Sequence, residues 1–384
     1  MVAWQTDSLK HVANPTGRTS AKWRVYDADV LPLWVAEMDY PLAPPIARAL
    51  HDAIDRSDTG YRWDAGLPQA LSDFAQRRLG WQIDPSRVTT IGDVLVAMAE
   101  SLRHLAEPGG VVITPPVYPP FFSVVTRIVG RDVVEVPLVE DSQLDLAGLE
   151  AAFARPDVSA FLLSSPHNPT GTIHSRDTLE AVARLARTHD VVVIADEIWA
   201  PLPLGGREVT PYLTLGEDLT GPDVSLVSAS KAFNLAGLKC AQIVTGSQAT
   251  ADRLKERMPI EVTYSASHLG VIAQIAAYTE GDAWLEETLA RISANADLLA
   301  DLLARDIPAI RYTPPEASYL AWLDCRELGL GDAPAIVFRE QGRVALNDGC
   351  EFGVQGRGFV RLNLATTPEV IEEAVARMVS VTRA

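Results

Sequence analysis

Cysteine is scarce in this chain. Cys240, Cys325 and Cys350 are odd in number and widely spaced across 384 residues, which excludes a disulfide framework and fits no zinc-ligand spacing. They read as reduced thiols in or near a core. Cations are in deficit too: 33 Lys and Arg stand against 50 Asp and Glu, a formal net charge of -17. A surface that neutralises phosphates needs the opposite balance, so the charge argues against a nucleic-acid or anionic-membrane binder. A small anionic substrate stays open, because one buried arginine captures a carboxylate whatever the net charge. No apolar run approaches the length of a membrane span. The opening Met-Val-Ala-Trp-Gln-Thr-Asp lacks a basic patch followed by an apolar stretch, so no signal peptide is expected and a cytoplasmic protein follows. Internal repeats and low-complexity tracts are also missing.

What is present is ample apolar material, 47% of residues, enough for two or three domains with large cores. Residues 160–164, 191–195 and 224–228 are short runs rich in Val, Ile, Leu and Ala, the pattern of strands buried on both faces. Amphipathic helical stretches such as 179–189 and 249–258 alternate with them, as in a parallel sheet covered by helices. Clusters of Pro and Gly at 41–45, 115–120 and 201–206 mark loops. After about residue 270 the texture changes: a long helical region, 268–304, precedes strand candidates at 319–323 and 358–364. The expected organisation is an N-terminal arm (1–45) packing with the small domain, a large α/β domain (46–270) and a small α+β domain (271–384).

Three polar residues follow the buried runs: Asn168 in Ser-Pro-His-Asn-Pro-Thr-Gly, Asp196 in Val-Val-Val-Ile-Ala-Asp-Glu, and Lys231 in Ser-Ala-Ser-Lys-Ala-Phe-Asn. Ligands of open α/β sheets bind outside the carboxyl ends of the strands, so these three converge in space. Singly each has an ordinary explanation as a solvated lysine, a helix cap or an Asn-Pro turn. Together they are the set that pyridoxal phosphate requires. A Schiff-base lysine holds the aldehyde carbon, an aspartate keeps the ring nitrogen protonated, and an asparagine bonds the phenolic oxygen. The phosphate belongs at a helix N-terminus, and Gly92, Asp93 and Val94 form a strand-to-helix turn between 88–92 and 94–105. The Asp93 carboxylate would repel a phosphate, so its side chain is expected to turn aside with only its amide used. Ser228, Ser230 and Lys239 are placed to complete the cup. Tyr118, in Pro-Pro-Val-Tyr-Pro-Pro-Phe-Phe, either stacks on the pyridine face or is a plain loop aromatic. Lys231, Asp196 and Tyr118 are the expected catalytic set. Arg361, in an otherwise apolar strand, is the candidate for the substrate carboxylate, with a solvated strand arginine as the alternative.

These motifs resemble the fold-type I pyridoxal-phosphate enzymes, the aspartate aminotransferase superfamily. The strings at 31–40, 60–61, 115–122, 167–171, 230–238 and 361–363 look like the MalY/PatB group of cystathionine β-lyases and C–S lyases, over most of the chain from about residue 20. The resemblance implies a mostly parallel seven-stranded sheet covered by helices in the large domain. It implies a homodimer in which Tyr61 reaches the phosphate of the neighbouring subunit's cofactor. It places the segment from Trp34 through Glu37 to Tyr40 at the substrate entrance and Asn168 beside the substrate. Departures lie at Glu37, where the group has Asp, at Trp199, where it has His, at Asp93, where it has an apolar residue, and in Glu316-Ala317-Ser318-Tyr319, where it has Glu-Gly-Thr-Tyr. Trp199 would reshape the phenolic side of the cofactor. A β-elimination from an L-cysteine S-conjugate is the leading expectation, with L-cystathionine as reference substrate. The alternatives are an aminotransferase, a C–S lyase specialised for a secondary-metabolite or detoxification conjugate, and a binding protein that keeps the fold.

Overall fold

In the computed structural model, which describes residues 17–64 and 66–382, a helical turn (Ala21–Arg24) precedes a two-residue strand, β1 (Leu31–Pro32), that pairs far along the sequence. The first sixteen residues of the expected N-terminal arm, including the segment read for a signal peptide, lie outside the described residues. Seven strands follow: β2 (Val88–Ile91), β3 (Gly110–Ile113), β4 (Val133–Glu135), β5 (Val158–Ser164), β6 (Val192–Asp196), β7 (Val224–Val227) and β8 (Ala241–Thr245). They make one sheet in the order β2-β8-β7-β6-β5-β3-β4. Strands β4, β3, β5, β6 and β7 are parallel, and β8 runs antiparallel to both its neighbours.

The alternation of side chains explains why these strands lie inside. Leu162, Ile194 and Leu226 point to one face, where they meet Ala97 and Met98 of the helix Val94–His104. Phe161, Leu163, Val193 and Ala195 point to the other, against Leu179 and Val182 of the helix Arg176–Thr188. Each fully buried aliphatic side chain contributes about 1.5–3 kcal/mol. Both faces are thus covered.

The second unit carries β9 (Arg311–Tyr312), β10 (Leu320–Asp324), β11 (Val344–Ala345), β12 (Asn347–Asp348) and β13 (Phe359–Asn363). Four of them form an antiparallel sheet, β12-β13-β10-β9, while β11 pairs in parallel with β1. That last pairing stitches the N-terminal segment onto the second unit. The helical region expected at 268–304 is two helices, His268–Glu280 and Asp282–Asp306. The break falls at Gly281, where a Cβ would lie 2.5 Å from the Phe233 ring and 2.4 Å from the Ala277 carbonyl. No helix among the described residues is long and apolar enough to cross a membrane.

Strand β6, which ends in Asp196, is held at its start by a buried polar clamp. Asp223 accepts from the Val193 amide (2.9 Å), the Arg187 guanidinium (3.0 Å) and the Tyr212 hydroxyl (3.0 Å). Breaking a buried pair strands the remaining charge. Asp223→Ala therefore costs about 3 kcal/mol, read as a lower urea midpoint, whereas Asp157→Ala at the exposed Arg155 pair leaves the midpoint in place.

Candidate active site

The carboxyl ends of β5, β6 and β7 open into a cavity of about 420 Å³ walled on its far side by the second unit. Asp196 is the last residue of β6, and Lys231 sits in the single helical turn Ala229–Ala232 that follows β7. Asn168 follows β5, where its backbone amide donates to Ser164 Oγ and its carbonyl accepts from the Tyr118 amide. Arg361 reaches in from β13 and donates to Asn168 Oδ1 (3.1 Å) and to the Trp34 carbonyl (3.2 Å). Tyr118, Trp34 and Trp199 line the same space. So residues from strands in both units meet in one place.

Burial sets the protonation of this group. Desolvation raises the Asp196 carboxyl to about 7, against the opposing Ile198 N–H and the nearby Lys231. Desolvation, then the Arg361 charge, lowers the Lys231 amine to about 8. Arg361 itself comes down to about 10, again through burial. The Lys231 Nζ donates to the Ala36 carbonyl at 3.2 Å and lies 5.7 Å from the Trp199 ring, which in turn stands edge-on to Tyr319 at 4.9 Å. An amine poised near neutrality beside a carboxyl is nucleophile and base in one.

The phosphate end is built around the first turn of Val94–His104, whose leading amides have no intrahelical acceptor. Asp93 caps that helix through Val96 N (2.9 Å), and its second oxygen pairs with Lys239 (2.9 Å). The carboxylate is thus engaged at the rim, with Val94, Ser230 and Lys239 lining the cavity beside it. Two expected members lie elsewhere. Gly92 donates its amide to Ser265 Oγ (2.9 Å), and a Cβ there would meet that oxygen at 2.8 Å, so this glycine serves close packing. The Ser228 hydroxyl donates to the Cys240 carbonyl (2.7 Å) and accepts from the Ser230 amide and Gln274, so it supports the turn beneath Ser230.

The 34–40 segment also needs correction. Tyr40 is a core residue whose hydroxyl donates to the Thr366 carbonyl, 2.9 Å away, because the chain turns inward there. Glu37 does not line the cavity: its carboxylate accepts from Ser20 Oγ at 2.6 Å, although its charge still reaches Lys231. Trp34, Val35 and Ala36 are the part that lines the site. What holds them was missed in the sequence. Asn234 clips the Met38 backbone at both N–H and carbonyl, Asn363 donates to the Val35 and Glu37 carbonyls, and Tyr319 donates to Ala36. Asn234 holds its clip with φ 58, a left-handed conformation that asparagine tolerates. Tyr61 stands apart from the cavity, 93% exposed.

Pyridoxal phosphate fits this donor set. Asp196 keeps Oδ2 free of hydrogen bonds among the described residues, and a ring N–H would restore its charge. Lys231 offers the amine, Tyr118 and Trp199 flat walls, and the helix turn with Ser230 and Lys239 the anion site.

The family model for aminotransferase class I and II matches residues 28–378. The chain belongs to this family. Among aminotransferase-family relatives, the cystathionine beta-lyase of Corynebacterium glutamicum is 36% identical, over 95% of this chain and 97% of that one. Cystathionine beta-lyase PatB of Bacillus subtilis is 34% identical over 94% and 96%. The crystal structure of cystalysin from Treponema denticola, which contains a pyridoxal 5'-phosphate cofactor, is similar with a TM-score of 0.89 and 27% identity, covering 96% of each chain.

Lys231 is one of five lysines in this aminotransferase-family chain, so its titration is readable by mass spectrometry. In the cofactor-free protein only the neutral amine reacts with an acylating reagent. Labelling of Lys231 is expected to rise with pH through a midpoint near 8, not near the ordinary 10.5. Asp196→Asn removes a charge that raises this value and moves the midpoint lower.

Proposed function

We propose that this chain is a pyridoxal-phosphate-dependent carbon–sulfur β-lyase. Its substrate is L-cystathionine or another L-cysteine S-conjugate, and its products are a thiol, pyruvate and ammonia. The observation that carries the reading is the meeting of Lys231, Asp196, Asn168 and Arg361 in one cavity, in a chain similar to cystathionine beta-lyases over most of its length.

Pyridoxal phosphate, when bound, supplies an aldehyde that condenses with amines and a protonated ring that accepts the electrons of a broken Cα–H bond. Asp196 serves by remaining ionised against the ring nitrogen. Arg361 holds the substrate α-carboxylate in a fork whose direction is set by Asn168 and the Trp34 carbonyl. With the carboxylate fixed, Lys231 Nζ takes the proton from Cα. The electron pair then returns to form a Cα–Cβ double bond as the Cβ–S bond breaks and sulfur leaves as thiolate. One water completes the balance, giving pyruvate and ammonia from the remaining three carbons. Trp199 and Tyr319 wall off the lysine from bulk water.

The reading includes a homodimer with shared sites, an N-terminal arm (1–45), a large domain (46–270) and a small domain (271–384), and a cytoplasmic location. Support for the dimer is an exposed patch in which Tyr61 and Trp63 are 93% and 76% exposed and Arg62 stacks on Tyr264. The patch adjoins Ser265, which bonds the phosphate turn at Gly92. Large exposed aromatics in one place mark an interaction surface. Free Cys240, Cys325 and Cys350 suit a reducing compartment.

Purified, cofactor-loaded protein given L-cystathionine should form pyruvate without 2-oxoglutarate, and Lys231→Ala should abolish it. Amino-group transfer only when the oxo acid is added would make the chain an aminotransferase. Arg361→Ala should lower kcat/KM by about a hundredfold, since a buried charged hydrogen bond is lost. Shared sites are checked by complementation: co-expressed Lys231→Ala and Tyr61→Ala chains should regain activity, because each hybrid dimer holds one intact site.

A further inference from the structure

We propose that Glu351 selects conjugates whose leaving thiol carries an ammonium group. The proposal rests on the lyase reading above and names the class of leaving group. Every other ionisable side chain lining the cavity already has a task. Asp93 pairs with Lys239, Asp196 faces the ring site, Lys231 is the base, and Arg361 takes the α-carboxylate. Glu351 lines the same cavity from the turn Gly349–Phe352. Its Oε2 accepts from Asn347 Nδ2 at 2.8 Å, a neutral partner, and it forms no ion pair among the described residues.

The carboxylate is firmly placed for a surface group. Asn347 pairs with Arg361 across β12 and β13, and Asp348 accepts from the Cys350 amide at 3.0 Å. Phe352, fully buried, takes the Val117 amide on its carbonyl (2.9 Å) and puts its ring 5.1 Å below the Arg361 guanidinium. Glu351 is therefore close enough to act on the charge of Arg361. With Arg361 taking the α-carboxylate and Lys231 facing the α-carbon, Asn347 on the strand beside Arg361 and Glu351 in the turn after it form one wall along which the sulfur substituent can extend. An anion there favours a cation and repels another carboxylate.

Three nearly isosteric substrates test this: S-(2-aminoethyl)-, S-propyl- and S-carboxymethyl-L-cysteine. In Glu351→Gln the kcat/KM ratio of the aminoethyl to the propyl conjugate should fall about tenfold, and that of the carboxymethyl to the propyl conjugate should rise. An equal change for all three would mean that Glu351 acts only through Arg361 and would overturn the proposal. Calorimetric Kd values for the three, measured on cofactor-loaded Lys231→Ala with and without Glu351→Gln, read the same preference without turnover. If wild-type protein forms pyruvate neither from these three nor from L-cystathionine, the lyase reading falls while the Kd ratios still decide the role of Glu351.

Discussion

Withdrawal of water from three charged groups, two beside the ends of parallel strands and one on the facing antiparallel sheet, is the constraint on which this structure turns. Asp196, Lys231 and Arg361 are each displaced toward their neutral forms mainly by burial. Such a cost is tolerated only where fixed dipoles and partners surround the groups. The rest of the architecture supplies them: the Ile198 amide for the aspartate, the Ala36 carbonyl for the lysine, Asn168 and the Trp34 carbonyl for the arginine. The chemistry attributed to the site follows from the same strain, because a free lysine amine near neutral pH is what proton abstraction requires.

Much of this was legible in the sequence because it is local. A buried run of Val, Ile and Ala followed by one polar residue identifies both a central strand and the chemistry at its tip, as at Asp196, and Asn168 follows a buried strand in the loop just beyond it. Strand and helix limits agreed within a few residues for the same reason. Ser228 and Gly92 were placed in the site on proximity along the chain and Tyr40 on the family resemblance, yet each answers to a partner elsewhere in the sequence: Cys240, Ser265 and Thr366. The clips at Asn234 and Asn363 were invisible for the complementary reason. Their targets are backbone atoms of another segment, and backbone leaves no trace in composition.

The 34–38 segment shows how the two sheets share one cavity. It is grasped from one side by Asn234 and Lys231 and from the other by Tyr319, Arg361 and Asn363. Most of these grips fall on carbonyl oxygens, which every residue carries, so the side chains at 34–37 vary without loosening the strap.

The pairing of Asn347 with Arg361 leaves the buried arginine and the outer wall on adjacent strands, while the lysine and aspartate stand by the other sheet. Descent with change can therefore act on the two sheets at different rates. A gene lineage is free to rewrite the hairpin around residues 347–352 and acquire a new diet of sulfur compounds, while the machinery that breaks the bond passes on intact.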